Sequence, residues 1–445
     1  MDVLILGLGN HGGGAGAAEY FCKKGCNVTV TDLRPEAELQ KSLITLSQFP
    51  ITYRFNTHNP EDIKKADLVI KNPAVSPNNK LLLNQNNIQS DLSYTLPKFD
   101  IPIIAVTGTK GKSTTAAAIA ATLKSFGWKT FMMGNMGISP FQVLDKTAKL
   151  SQDDKEKALI ILELSSWQLR DLNRYTPDNS HSTYFSMTVI TSLFQDHLNT
   201  YQCYSDYISD KMLIFKFLKQ NGYTVIPKTA KDELIIRNIM LKKHSIFDHN
   251  IVKDHLGEQI DIFGIQKDLI PASAACLARG YSIEDINKAL SNFSGLPHRR
   301  EVVKVVKVVN DITYINDSAA TVPESISFCL EQIDGNIHLI SGGTDKKLET
   351  EMFLSAYKRI TSLHLLGGSL TERLVPLLVN TTTNFTGPYR TMESAFTSAL
   401  EFAEKSKEKG VASYIILSPG AASFDLFLNE FERGNIFKKL VINLL

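Results

Sequence analysis

The sequence is poor in cysteine and has no long apolar run. Its 445 residues include five cysteines, an odd number whose spacing predicts neither a zinc site nor a disulfide framework. No apolar stretch approaches the roughly 18 residues of a membrane span, and no basic, cleavable leader precedes the first strand-like residues. The chain also lacks internal repeats, low-complexity tracts and a basic tail. These absences predict a cytoplasmic enzyme with reduced thiols and no membrane partner.

Charge and composition predict a globular chain with more than one core. The net charge is +2, so nucleic acid is not expected as a partner, and hydrophobic and charged residues make up 43% and 21% of the chain. A chain of 445 residues is too long for one ordinary hydrophobic core. Three domains of roughly 100 to 200 residues each are therefore expected.

One stretch carries the pattern of a phosphate-binding loop. The apolar strand 103–106 leads into a glycine turn, and a helix-forming run follows. Gly108 and Gly111 let the backbone approach phosphate oxygens. Lys112 adds a positive charge, and Ser113 can hold Mg²⁺. The run G-T-K-G-K-S is shorter than the general P-loop pattern, so a turn with solvated lysines remains the alternative.

A second glycine-rich turn lies near the N-terminus. Glycines at 7, 9 and 12 form G-x-G-x-x-G between a strand and a helix, and Asp32 follows about twenty residues later, which matches the dinucleotide fingerprint. The half-fold for a second mononucleotide is missing, because the P-loop strand begins soon after the proline-containing loop 71–77. A single nucleotide such as UDP is therefore the favoured ligand, with NAD as the alternative.

The middle of the chain offers candidate metal ligands. Glu163 ends the buried strand 158–162, where ligands bind in open α/β sheets. Because an unpaired charge there is costly, we interpret it as a metal ligand. Asn135 lies in a turn and either contributes its carboxamide to a site or stabilises the turn. His197 is either a second metal ligand or a helix-cap histidine, and Lys211 is indistinguishable from a solvated helix lysine.

The last third of the chain predicts a smaller parallel α/β domain. Strand-like runs at 337–340, 363–366 and 414–417 alternate with helical stretches. The segments 342–346 and 418–425 follow two of these strands, where such a sheet binds ligands.

The whole chain resembles the Mur ligase family, because a series of motifs occurs in family order at nearly the family spacing. The motifs are G-T-K-G-K-S at 108–113, G-N-M-G at 134–137, E-L-S-S-W-Q-L at 163–169, D-H at 196–197, G-L-P-H-R at 295–299, N-D-S at 316–318 and S-P-G-A-A-S-F-D at 418–425. The resemblance implies an α/β fold of three domains: a Rossmann-like UDP-binding domain at 1–95, a central P-loop ATPase domain at 96–297, and a Rossmann-like glutamate-binding α/β domain at 298–445.

The resemblance also implies a reaction. The segment 163–169 and the N-terminal glycine pattern are similar to the family members that add D-glutamate to UDP-N-acetylmuramoyl-L-alanine. The expected activity is ATP-dependent amide formation through an acyl phosphate, in peptidoglycan precursor synthesis. ATP, two Mg²⁺ ions and a carbamylated Lys211 are implied, although Lys211 lies one residue closer to His197 than in the family. Carbamylation would turn an ammonium into an anionic metal ligand. A monomer that acts on small molecules is expected.

Family positions imply a role for each candidate residue. Catalytic roles fall on Lys112, Glu163, His197 and Lys211, and metal binding falls on Ser113, Glu163, His197 and Lys211. The implied ATP-binding residues are Gly108, Thr109, Lys110, Gly111, Lys112, Ser113, Thr114, Arg299 and Asp317. The implied UDP-substrate residues are Asn10, His11, Asp32, Arg34, Asn72, Ala74, Asn135, Ser165 and Gln168. The implied glutamate-binding residues are Thr321, Lys346, Ser423 and Phe431, with a helix cap at Ser423 and a surface charge at Lys346 as the alternatives.

The chain departs from the family pattern at two ligand sites. The N-D-S-K-A-T motif has Ala319 in place of its lysine, so either Lys346 or Lys347 compensates or the amino-acid pocket differs. The adenine-contacting H-N-x-x-N motif reads Q-K-D-L-I at 266–270, without its amides. A ligase for another amino acid such as L-glutamate, or a nucleotide-binding homologue without ligase activity, is the alternative. Folylpolyglutamate synthetase is disfavoured, because its ATPase domain comes first.

Overall fold

The computed structural model describes residues 1–10, 12–76, 79–135, 137–176, 183–194, 201, 203–248, 266–303, 312–331, 333–408 and 410–444. These residues form three β-sheets with helices between the strands. They fall into two compact units: the first contains two sheets and ends at Phe293, and the second consists of the residues from Ser294 onward together with Gln266. None of the helices in these ranges combines the length and apolar character needed to cross a bilayer.

The N-terminal sheet has five parallel strands in the order β3-β2-β1-β4-β5. Its strands are β1 Asp2–Leu6, β2 Asn27–Asp32, β3 Ile51–Phe55, β4 Leu68–Lys71 and β5 Ile88–Ser90. Its helices are α1 Gly13–Lys23, α2 Gln40–Leu46, α3 Pro60–Lys65 and α4 Asp91–Thr95, with short 3₁₀ turns at Glu36–Leu39, Lys80–Leu82 and Leu96–Lys98. The strand order reverses beside β1, so the loops after β1 and β4 flank a crevice of the kind that binds ligands.

The central sheet has six parallel strands in the order β11-β10-β9-β6-β8-β7. Its strands are β6 Ile103–Thr107, β7 Lys129–Gly134, β8 Ala158–Glu163, β9 Phe185–Ile190, β10 Leu218–Pro227 and β11 His244–Phe247. Its helices are α5 Lys112–Ser125, α6 Pro140–Thr147, α7 Gln152–Glu156, α8 Ser166–Tyr175, α9 Tyr204–Met212, α10 Lys231–Ile236, α11 Gln266–Ala278 and α12 Ile283–Leu290, with 3₁₀ turns at Leu213–Phe217 and Lys228–Ala230. Strand β6 is fully buried, which agrees with its continuous apolar sequence.

An aromatic cluster joins these two sheets within the first unit. It consists of Tyr20 and Phe21 on α1, Tyr94 on α4 and Phe141 on α6. The Phe21 ring centroid lies 5.2 Å from that of Tyr94 and 5.5 Å from that of Phe141. Helices α1 and α6 approach closely at Gly16, where a Cβ atom would lie 2.4 Å from Cβ of Ser139. The N-terminal and central sheets therefore share part of one core.

The C-terminal sheet has six strands in the order β12-β13-β17-β14-β15-β16, and β12 alone among them is antiparallel to its neighbour. Its strands are β12 Glu301–Val302, β13 Ile312–Asn316, β14 Asn336–Gly342, β15 Ser362–Leu366, β16 Phe385–Tyr389 and β17 Ser413–Leu417. Its helices are α13 Pro323–Leu330, α14 Thr350–Ala356, α15 Ser369–Leu378, α16 Met392–Lys405 and α17 Glu430–Ile442, with a 3₁₀ turn at Tyr357–Arg359. The predicted α/β fold class, with a P-loop sheet in the middle, is confirmed. The domain boundaries at 95/96 and 297/298 stay a prediction.

Candidate active site

The predicted phosphate-binding loop joins β6 to α5 at the carboxyl edge of the central sheet. Gly111 precedes α5 with a φ of 83°, a conformation that favours glycine. The ammonium Nζ of Lys112 donates to the carbonyl oxygens of Gly108, at 3.0 Å, and Thr109, at 2.9 Å. Ser113 lies in the first turn of α5, beside the helix N–H groups. Loop, lysine and helix N-terminus are thus grouped as an anion site requires.

The chain that follows β9 fixes the shape of this loop. Thr109 N–H donates to the carbonyl oxygen of Ser192 at 2.8 Å, and Lys110 N–H donates to Oγ of Ser192 at 3.0 Å. The hydroxyl of Thr191 donates to the carbonyl oxygen of Lys110 at 2.6 Å. Gly108 has no room for a side chain, since a Cβ atom would lie 2.0 Å from Oγ1 of Thr191. These contacts fix the backbone conformation of the loop.

Glu163 lies on the strand adjacent to the P-loop strand. It is the last residue of β8, pairs with Val106 in register and is fully buried. Its Oε1 accepts a hydrogen bond of 2.9 Å from the amide Nδ2 of Asn135. Its Oε2 is buried and has no hydrogen-bond partner among the described residues. A buried carboxylate oxygen without a donor is costly, so this position is suited to a cation.

Lys211 of α9 reaches the P-loop from another side. Its side chain is buried, and Nζ donates to the carbonyl oxygen of Gly108 at 2.7 Å. Its neighbour Tyr207 packs beneath it, with Nζ 4.6 Å from the ring centroid, and donates through its hydroxyl to Oγ1 of Thr109 at 3.2 Å. The structure therefore brings Lys112 and Lys211 together on one carbonyl oxygen.

Not all of the predicted metal ligands lie among the described residues. His197 lies outside the described residues, as does His11 of the predicted UDP pocket. Within the described ranges, no group of three or more histidine, cysteine, aspartate or glutamate side chains converges. Ser113, Glu163 and Lys211 are the predicted ligands that lie at or beside the loop in the described part of the chain.

A cavity of about 1060 Å³ opens between the N-terminal and central sheets of the first unit. Every predicted UDP-substrate residue in the described part of the chain lines it: Asn10, Asp32, Arg34, Asn72, Ala74, Asn135, Ser165 and Gln168. A capping box at the start of α8 holds two of them, because the Ser165 hydroxyl and the Gln168 backbone and side chain are mutually hydrogen-bonded. The cavity is large enough for a nucleotide sugar.

Asp32 supports the glycine loop of this cavity. Its carboxylate accepts hydrogen bonds from the backbone N–H groups of Leu8, at 3.0 Å, and Gly9, at 3.1 Å, and pairs with Arg34 at 3.0 Å. Burial favours the neutral form, but these hydrogen bonds and Arg34 outweigh it and lower the pKa of Asp32 to about 2. Asp32 therefore binds the protein's own backbone while it lines the cavity, and its predicted role in UDP binding stays a prediction.

In the second unit the carboxylate of Asp317 follows β13. It accepts hydrogen bonds from the hydroxyl of Ser418, at 2.9 Å, and from the backbone N–H of Arg300, at 3.1 Å. Burial raises the pKa of this carboxyl to about 6, although Arg300 and Arg299 oppose the shift. The predicted ATP residues Arg299 and Asp317 are thus neighbours.

The predicted glutamate residues of the second unit surround the loops after β13, β14 and β17. Lys346 Nζ donates to the hydroxyl of Thr321 at 2.8 Å, and burial lowers the pKa of this lysine. Ser423 is buried, and its carbonyl oxygen accepts the N–H of Phe427. Phe431, at the start of α17, is 50% exposed, so its ring is available to a ligand.

The sequence is similar to those of known proteins over nearly its whole length. The Mur ligase middle domain model matches residues 106–267. A UDP-N-acetylmuramoylalanine–D-glutamate ligase of Borreliella afzelii (strain PKo) is 33% identical over 99% of this chain and 97% of its own length. The chain belongs to the Mur ligase family.

Other relatives agree with this assignment. A UDP-N-acetylmuramoylalanine–D-glutamate ligase of Treponema pallidum (strain Nichols) is 29% identical to this Mur ligase over 99% of the chain and 97% of its own length. The solved structure of UDP-N-acetylmuramate-alanine ligase from Thermotoga maritima covers 100% of both chains with a TM-score of 0.57 at 17% identity. That structural likeness supports the fold.

Arg433 of this Mur ligase was missed by sequence reasoning. Its side chain on α17 is fully buried, and burial lowers its pKa to about 10. Its guanidinium donates to the carbonyl oxygens of Ser318, Ala421 and Ala422, at 2.9 to 3.3 Å, and Nε donates to the Ser318 hydroxyl at 3.0 Å. It thereby joins the N-D-S loop to the loop after β17. A single arginine in a helix gave no signal of this role, because such residues are usually solvated.

Proposed function

We propose that this Mur ligase is an ATP-dependent UDP-N-acetylmuramoylalanine–D-glutamate ligase of peptidoglycan precursor synthesis. The main structural support is the hydrogen bond from Asn135 to Glu163. Asn135 lines the large cavity, and Glu163 stands beside the end of the P-loop strand. A nucleotide-sugar site and a phosphate-transfer site are thus in contact within one compact unit.

The residues at the loop fit magnesium. Glu163 offers a buried carboxylate oxygen with no hydrogen-bond donor in the described part of the chain, and Ser113 offers a hydroxyl in the first turn of α5. Such oxygen ligands are the kind that Mg²⁺ prefers, and the bound ion would neutralise phosphate charge. We propose two ions, with His197 as a further ligand. We also propose that Lys211 is carbamylated, since a carbamate keeps one N–H for the Gly108 carbonyl while adding anionic oxygens.

The chain's own residues then account for activation of the substrate carboxylate. In the proposed step, a carboxylate oxygen attacks the γ-phosphorus of ATP, the bond to ADP breaks, and an acyl phosphate forms. Lys112 and the N-terminus of α5 offset the negative charge of the transferring phosphoryl group. We also propose that Arg299 binds ATP. The amine of glutamate next attacks the acyl carbon, phosphate leaves, and the amine loses a proton.

Water must be kept from the acyl phosphate. We propose that Asn72 anchors the UDP end and that Gln168 contacts the muramoyl part, so that the substrate carboxylate is held at the P-loop rather than free in solution. We propose that Thr321, Lys346 and Ser423 bind glutamate. We further propose that the enzyme acts in the cytoplasm and as a monomer. Sedimentation of the purified chain tests the monomeric state.

Phosphate release tests the proposed function. We expect release from ATP only when UDP-N-acetylmuramoyl-L-alanine and D-glutamate are both present, with product identified by mass. Parallel reactions with L-glutamate test the amino-acid pocket, which Ala319 leaves without the family lysine. Release that needs neither substrate would favour a nucleotide-binding homologue without ligase activity. Faster turnover with L-glutamate would assign the chain to a ligase of different specificity.

A further inference from the structure

A buried ion pair lies behind one wall of the cavity. Lys71 is the last residue of β4, and Asp171 lies in α8. Lysine Nζ is 2.5 Å from Oδ2 of the aspartate, and the two side chains are 0% and 2% exposed. The pair therefore connects the N-terminal sheet to a helix of the central sheet, away from solvent.

Both partners adjoin residues that line the cavity. Asn72 follows Lys71 directly, and its carbonyl oxygen accepts a second hydrogen bond from Lys71 Nζ at 3.3 Å. Asp171 lies three residues after Gln168, so the two share one face of α8. Lys71 thus ties the loop after β4 to the helix that carries Gln168.

Stability alone does not explain this pair. Burial lowers the pKa of the Lys71 ammonium, although Asp171 opposes the shift, and burial likewise raises the pKa of Asp171. Desolvation thus exceeds the attraction across the pair in both cases. Two apolar side chains of similar volume would stabilise such a site as well or better. An ion pair instead fixes both the distance and the direction between its two elements.

We propose that Lys71 is a positioning residue that sets the separation between the Asn72 loop and α8. This separation determines how well the cavity fits the UDP-linked substrate. This inference rests on the proposed function for the identity of the ligand. It concerns binding of the UDP-linked substrate and leaves the P-loop unaffected.

Four variants test the proposal in the full chain. Lys71→Met removes the cation, Lys71→Met with Asp171→Leu replaces the pair by apolar side chains, and Lys71→Arg keeps the charge with a different reach. The matched control is Lys155→Met, which breaks the more exposed pair with Asp100. Calorimetric titration gives the Kd for UDP-N-acetylmuramoyl-L-alanine, thermal unfolding gives Tm, and steady-state assays give the KM for ATP.

We expect Lys71→Met to lower Tm, because Asp171 is left buried and unpaired, and to raise the Kd about tenfold through misplacement of the loop. The double variant should recover Tm but keep the raised Kd, with the KM for ATP within about twofold of the wild type. Lys71→Arg should raise the Kd at a nearly unchanged Tm. Lys155→Met should change none of these values.

A double variant with wild-type Kd would overturn the proposal, since the pair would then serve folding alone. If the double variant does not fold, wild-type Kd in Lys71→Arg overturns it instead. A wild-type chain that does not bind the UDP-linked substrate would sink the proposed function, which is a separate and distinguishable result.

Discussion

The amide of Asn135 donates a 2.9 Å hydrogen bond to one oxygen of the Glu163 carboxylate, and the other oxygen has no partner among the described residues. Asn135 also lines the large cavity, so this one side chain contacts both the cavity and Glu163. A movement of Asn135 on substrate binding would therefore act directly on Glu163, the proposed metal ligand.

Glu163→Gln keeps the size of this side chain but removes its charge. We expect kcat to fall by about 10² to 10³, which corresponds to roughly 3 to 4 kcal/mol, since a preorganised charge contact at the transferring phosphate is lost. Phosphate release with both substrates at saturation measures the effect, and the Mg²⁺ concentration for half-maximal rate should rise. Glu156→Gln, at an exposed site on α7, is the matched control. A Glu163→Gln enzyme with full activity would contradict the metal-ligand role.

Lys112→Ala should remove the ammonium that lies over the carbonyl oxygens of Gly108 and Thr109. We expect a loss of about 3 kcal/mol or more of transition-state stabilisation, or at least about a hundredfold in kcat. Lys124→Ala provides the comparison, because it removes an exposed lysine from the last turn of the same helix. Single-turnover phosphate transfer measures both variants, and near-equal rates would refute the P-loop role.

Lys346 and Lys347 are the two candidates for the missing family lysine at Ala319. Lys346 Nζ is 2.8 Å from the Thr321 hydroxyl, whereas Asp345 holds the backbone N–H of Lys347 at 2.7 Å. We expect Lys346→Met to raise the KM for glutamate about tenfold or more, since a charge-assisted contact to a carboxylate is worth roughly 1.5 to 3 kcal/mol. Lys347→Met should leave that KM nearly unchanged. Equal effects of the two substitutions would show that neither lysine is specific to the pocket.

Acid should destabilise the second unit through two buried histidines. His338 Nδ1 and His364 Nε2 are each 2.8 Å from the hydroxyl of Ser362. Burial lowers the pKa of both imidazoles from the ordinary value of 6.5 to about 4. Between these values the unfolded chain binds protons that the folded chain does not, so the free energy of unfolding falls as pH falls from 6.5 to 4. The loss approaches about 3 kcal/mol per histidine at pH 4.

Hydrogen exchange of β14 and β15, corrected for intrinsic rates, measures this loss. Protection should be greatest above about pH 6.5 and decline steadily below it. His244→Gln, which replaces an exposed histidine of the central sheet, should leave the decline unchanged. Constant protection from pH 7 to pH 4.5 would mean that the imidazoles are not kept neutral.

Much of the fold could be predicted from local patterns. Apolar runs that end in glycine turns located β1 and β6, and the acid at the end of a buried run located Glu163 at the ligand edge of its sheet. These features follow from periodicity and chain direction, which neighbouring residues in sequence determine. The cavity residues were grouped by the resemblance to the Mur ligase family, and the structure brings the described ones together around one cavity.

The hydrogen-bond and ion-pair partners of individual side chains could not be predicted in this way. Asp32 binds the N–H groups of its own glycine loop, and Asn135 binds Glu163. Lys71 and Arg433 are fully buried, although charged side chains are usually solvated. Burial and pairing depend on contacts between segments far apart in the chain. Sequence reasoning therefore indicated which loops come together but missed the side chains that hold them in place.

The aromatic cluster of Tyr20, Phe21, Tyr94 and Phe141 belongs to two sheets at once. If the first sheet melted alone, Phe141 would lose these ring partners and face water, so neither sheet has a complete apolar core by itself. The walls of the cavity should consequently form and disappear together, in one cooperative step. Folding, rather than ligand binding, would then assemble the proposed nucleotide-sugar site.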